Sequence, residues 1–151
     1  MGYRPPLGDM TFFAELIGQD RLADTTRFAE ATAETRTAIL DEAARFVAEV
    51  IAPIDQAGDH YGTRLENGIA RTPPGFVEAF KALAEGGWIG VTSAPEAGGM
   101  GLPQSLGTMV QEMLNGACLS LGTGTLLTQG QIEAIEAHGD AHLKEMILPR
   151  L

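Results

Sequence analysis

The sequence is poor in cysteine, in positive charge and in long apolar runs, and each shortage removes a class of function. Its single cysteine, Cys118, among 151 residues excludes an intrachain disulfide and a thiolate zinc cluster, and fits a reducing cytoplasm. Ten Lys and Arg stand against twenty Asp and Glu, a formal net charge of −10. Such a chain repels polyphosphate and has no basic footprint for nucleic acid. No run of about 18 uninterrupted apolar residues occurs, the length a membrane-crossing helix needs. Residues 1–9 hold one Arg and two Pro in place of the apolar centre of a signal peptide. The chain is therefore read as soluble, untargeted and without membrane insertion.

What is present is 44% apolar residues, enough to bury one core, arranged with helical periodicity almost throughout. Asp9 can cap a short helix carrying Met10, Phe12, Phe13, Leu16 and Ile17, with Gly18 as its stop. That piece cannot bury its own face and should clamp onto the domain that follows or onto a neighbouring subunit. Ile39, Leu40, Ala43, Phe46, Val47, Val50 and Ile51 recur at three- and four-residue steps, the strongest helical stripe in the chain. Pro53 ends or kinks it, and Gly58, Asp59, Gly62, Asn67 and Gly68 read as a long polar loop. Thr72 is a candidate cap before Pro73 and Pro74, with Phe76, Val77, Phe80 and Leu83 as the next stripe and Gly86 and Gly87 as its end.

The glycines and prolines of residues 88–103 forbid a regular helix, while Trp88, Ile89 and Val91 anchor the segment as an ordered loop. Pro103 opens a helix through Met113 and Leu114, Gly116 separates it from the apolar run 119–127, and Gly139 closes that one before a last helix ending near Pro149. The pattern predicts an all-α helical bundle with helices near 9–17, 33–52, 74–85, 104–115, 118–137 and 140–148, the longest containing Phe46 or Leu126, and no strand pair. The ending, two residues after Pro149 with no polar tail, reads as a cut.

Three constellations invite chemistry. The glycines Gly98, Gly99 and Gly101 suggest a dinucleotide loop, but Gln104 occupies the position of its last glycine and no βαβ unit surrounds it, so a structural turn is the better account. His138 and His142 are spaced by four, like metal ligands on a helix, yet Gly139 breaks the helix between them and no metal is assigned. Gly122, Thr123, Gly124 and Thr125 interrupt an apolar run, which suits either tight helix packing or the floor of a ligand pocket. Cys118 has nothing nearby to lower its pKa, and Glu30, Glu34, Asp41, Glu42 and Glu49 read as a solvated face.

The order of these features resembles the N-terminal helical domain of the acyl-CoA dehydrogenases. The resemblance lies in the helix ending Val50, Ile51, Ala52, Pro53, Ile54, and in the stretch ALAEGGWIGVTSAPEAGGMGLP, similar to the family's Pro-Glu-x-x-Gly-Gly-x-Gly turn. It continues through Gln111, Glu112 and Met113 opening a small-residue helix, then Ile132, Gly139, Leu148 and Pro149. Tyr3, Arg4, Pro5, Pro6 and Leu7, followed by Asp9, Met10 and Phe12, resemble the extra helix of the branch that includes 3-methylthiopropionyl-CoA dehydrogenase. The implied division is an extension over residues 1–32 and the family domain over 33–151, with the middle β-domain and C-terminal helical domain absent.

The resemblance implies the N-terminal portion of a flavoenzyme that removes hydrogens from the α and β carbons of an acyl-CoA thioester, with FAD accepting the hydride. In the family the glutamate base and most flavin contacts lie in the two other domains. No catalytic or cofactor-binding residue is therefore expected here, Glu112 and Glu133 included, and the chain alone should be inactive and hold no FAD. It also implies an acyl pocket wall at Leu121, Gly122, Thr125 and Leu126, acyl-CoA as substrate partner, and a homo-oligomer. The rival reading is a stand-alone helical protein-interaction module.

Overall fold

A computed structural model describes residues 2–151 and shows an all-helical bundle, with one two-stranded sheet among the described residues. The α-helices are α1 (Leu7–Leu16), α2 (Ala33–Phe46), α3 (Asp55–Tyr61), α4 (Phe76–Glu85), α5 (Gln104–Ala117), α6 (Leu119–His138) and α7 (Ala141–Ile147). At 20 residues α6, which contains Leu126, is the longest.

Capping explains where some of them begin. Thr32 accepts the Thr35 amide at 3.2 Å to start α2, and Asp140 accepts the Leu143 amide at 2.8 Å to start α7. Two expected caps are corrected. α1 starts at Leu7 after Pro6, leaving Asp9 in the first turn, where its charge still complements the helix dipole. α4 starts after Gly75, which takes a left-handed turn at φ 85°, so Thr72 lies too far upstream to cap it. Gly116 is likewise no break: α5 runs through it to Ala117, and the one non-helical residue before α6 is Cys118, at φ −157° and ψ 92°.

The loop expected after Pro53 is also corrected. α2 passes into a π turn, Val47–Ile51, then a 3₁₀ turn holding Pro53, and resumes as α3. The hairpin β1 (Arg64–Glu66) and β2 (Ile69–Arg71) follows, antiparallel, turning at Asn67 and Gly68, both at positive φ.

The core lies around α5. Leu106, Val110, Met113 and Leu114 meet Leu40, Ala43, Val47 and Ile51 of the α2 segment, with Leu83, Trp88 and Val91 closing the side. Trp88 stacks on Phe46 with ring centroids 5.8 Å apart, which anchors the glycine-rich loop as its sequence suggests. Among the residues of α1, Met10 and Ala14 are buried in this core and half-buried Leu7 packs against it, while Phe12, Phe13, Leu16 and the following Ile17 remain exposed. Glu30, Glu34, Asp41, Glu42 and Glu49 are all solvent-exposed, and Arg45 bridges Glu42 and Glu49.

Candidate functional site

α6 folds back along α5 so that Asn115 meets Gly122 and Gln111 meets Thr125. The approach is close because Gly122 has no side chain. A Cβ there would collide with Asn115 Oδ1 and stand 3.2 Å from the Asn115 Cα. Inside the seam, Gln111 is 6% exposed. Its Nε2 donates to Asn115 Oδ1 and to the Gly122 carbonyl, both at 2.9 Å, and its Oε1 accepts from Thr125 Oγ1 at 3.2 Å. The Thr125 hydroxyl lies closer to the Gly122 carbonyl, at 2.8 Å. One proton shared between two acceptors leaves none for a ligand.

Beside this seam an open groove of about 490 Å³ is lined by Gln104, Thr108, Gln111, Glu112, Asn115, Gly116, Leu126 and Gln129. Across the Thr108 and Glu112 ridge, a second hollow of about 390 Å³ is walled by Met10, Phe13 and Ile17 of the extension. Tyr3 lies on α5 at Gly116, where a Cβ would come within 2.5 Å of its hydroxyl oxygen. Burial, and then the negative charge of Glu112, push the Tyr3 phenol above its usual range.

The four residues read as a pocket wall separate into two sets. Leu121, Gly122 and Thr125 are buried against α5, whereas Leu126 is 49% exposed and borders the groove. Leu119 and Leu127 are exposed with it. Gln111 and Asn115 also border the groove, and neither was singled out as a site residue from the sequence. A signal for Gln111 existed: Gly107, Val110, Gln111 and Leu114 follow one helical stripe, so a polar residue stands where an apolar one is the rule.

The glycine turn offers no cradle for a pyrophosphate, because its amides are spent internally. Gly98 donates to Pro95 at 3.0 Å, Gly99 to Ala94 at 3.1 Å, and Met100 and Gly101 to Gly90 and Ser93, both at 2.9 Å. A flavin dinucleotide thus finds no phosphate site in this turn. The turn is held to α6 by Glu136, whose carboxylate accepts the Ala94 amide at 2.9 Å. His138 ends α6 and His142 lies in α7, with extended Gly139 between them. Among the described residues no helix is long and apolar enough to cross a membrane.

Comparison with known proteins gives two matches. Residues 33–151 match the family described as acyl-CoA dehydrogenase, N-terminal domain. The chain is also 35% identical over 152 residues to 3-methylmercaptopropionyl-CoA dehydrogenase of Ruegeria pomeroyi (strain ATCC 700808 / DSM 15171 / DSS-3), covering 100% of this chain and 26% of that protein. It spans about a quarter of the length of that curated relative.

Proposed function

The chain belongs to the acyl-CoA dehydrogenase family, and on that premise we propose that it is the N-terminal portion of an FAD-dependent enzyme performing α,β-dehydrogenation of an acyl-CoA thioester. In this reading it shapes the acyl pocket and does no chemistry alone. Residues 1–32 form an extension and 33–151 the family's helical domain. The base and the flavin site belong to the rest of the parent protein, a cytoplasmic homo-oligomer.

The observation that carries the reading is the uncovered outer face of α6. Leu119, Leu126 and Leu127 are 62%, 49% and 65% exposed, and Leu126 borders the groove, where a finished surface would hold polar residues. An apolar face of this kind suits an acyl chain and the neighbouring parts of a longer protein. The net charge of −10 disfavours the phosphates of CoA, which are therefore assigned to other parts of the parent. No step of hydride transfer is placed on these residues, in keeping with a glycine turn whose amides from Gly98 to Gly101 are engaged within the loop.

The test is to purify this chain and the full-length parent, supply each with FAD and a panel of acyl-CoA thioesters, and follow reduction of an artificial electron acceptor. Turnover is expected from the parent only. Turnover by the 151-residue chain would place the active site within it, and silence from both would remove the dehydrogenase reading.

A further inference from the structure

We propose that Gln111 is a positioning residue for the groove: it fixes the rotation of α6 about its own axis and so decides which side chains of that helix face the substrate. This rests on the acyl-pocket reading above and adds to it a residue on the opposite helix.

α6 does not determine its own orientation. At 100° per residue, Leu121 and Ile132 fall on one side of the helix and Leu119, Leu126 and Leu127 on the other. Turned by half a revolution, it would bury the second set against α5 in place of the first. Hydrophobic burial is non-directional and discriminates weakly between the two. The distinction has to come from groups that bond in one arrangement only.

Gln111 supplies it. Both protons of its amide are engaged, one by Asn115 on its own helix and one by the Gly122 carbonyl across the seam, and its oxygen is engaged by Thr125. Half a turn of α6 would remove both cross-helix partners and leave a buried carboxamide without them, a cost that falls on the wrong orientation alone. Gly122 lets the observed face approach closely, since a Cβ there would collide with Asn115, but α6 also carries Gly124 and Gly130 on other faces, so the choice between faces falls to the bonds of Gln111. With α6 held this way, Leu126 borders the groove, and Gln111 and Asn115 form the groove's edge where the network reaches it.

The experiment uses the full-length holoenzyme, unchanged and with Thr125→Val, Thr125→Ser and Gln111→Leu, and reads kcat, KM for acyl-CoA thioesters, melting temperature, and amide exchange across residues 119–127. Thr125→Val keeps the shape and removes the hydroxyl. It is expected to raise KM about tenfold with kcat within about twofold, since a displaced wall weakens ground-state and transition-state binding alike. Exchange over 119–127 should quicken to a similar degree, and Thr125→Ser should restore both. Gln111→Leu should exceed Thr125→Val in the same direction; if it does not fold, Thr125→Val decides. A lowered melting temperature with KM and exchange unchanged would show that the network merely packs, and would overturn the proposal. An unchanged holoenzyme that turns over no acyl-CoA would remove the functional reading, while amide exchange would still decide whether the network holds α6.

Discussion

The α5–α6 seam and the docking of α1 are both contacts of helix on helix, and they are closed by opposite means. At the seam a glycine lets the backbones approach and Gln111 joins them through directional bonds. At α1 two residues, Met10 and Ala14, enter the core while four large apolar side chains stay outside. The rest of the attachment is mixed: Leu7 and Tyr3 pack against the core, Tyr3 lying on Gly116, and Arg36 of α2, 5% exposed, pairs with Asp20. Directional bonds specify an orientation and fail if one partner moves, whereas apolar contact provides adhesion with little orientation. The seam is the part of the molecule with a specified orientation, and α1 is the part whose contacts specify little.

The largest break in that comparison is expected from Gly122→Val. The added atoms would meet both the side chain and the Cα of Asn115, an overpacking that should cost about 3 kcal/mol in chemical denaturation. A loss below about 0.5 kcal/mol, the ordinary effect at a tolerant surface site, would mean that the close approach carries no weight.

The tether of the extension should behave asymmetrically. Asp20→Ala leaves the buried Arg36 guanidinium unpaired and is expected to cost about 2 kcal/mol. Arg36→Met releases an aspartate that is already 48% exposed and can rehydrate, so its cost should be nearer 1 kcal/mol. Equal losses from the two, measured by denaturant titration, would show that burial of Arg36 is not what sets the penalty.

Replacing Phe13 and Ile17 by serine tests the α1 side. Both are more than half exposed, so stability should stay within about 0.5 kcal/mol while self-association in sedimentation falls. A large stability loss would place them in a core and end the contrast. The smallest effect concerns Tyr3. Its phenol, raised above 10.0 by burial and by Glu112, binds its proton more tightly folded than unfolded. That contribution is fully present below the unfolded pKa and is lost as pH rises through the folded one. Tyr3→Phe should flatten the alkaline part of the stability profile, and an unchanged slope would deny the phenol that role.

The helices were legible wherever a stripe faced the core. The π turn, α3 and the hairpin were not. Gly58 and Asp59 read as loop residues, yet Gly58 is used for closeness: a Cβ there would come within 2.9 Å of the Phe76 ring and 3.2 Å of the Ser120 hydroxyl. Such a role depends on residues far away in sequence. Asn67 and Gly68 are the turn pair of a hairpin, but three-residue strands with every residue exposed leave no alternation to read. At the site, the small-residue character of 122–125 left tight packing and a pocket floor equally open. The structure shows the packing directly in Gly122, and no pattern along α6 could name its partner on α5.

The π turn at Val47–Ile51 also acts as a phase correction. A π turn takes up more residues per revolution than an α-helix and the 3₁₀ turn behind it takes fewer. Together they let the chain keep Val47 and Ile51 inward while re-aiming everything downstream. Removing one residue, such as exposed Glu49, would advance the following backbone by about 100°, swinging α3 and the hairpin to another side and withdrawing Gly58 from Phe76. The placement of α3 and the hairpin is thereby entrusted to the count of residues in a single turn, as much as to which residues fill it.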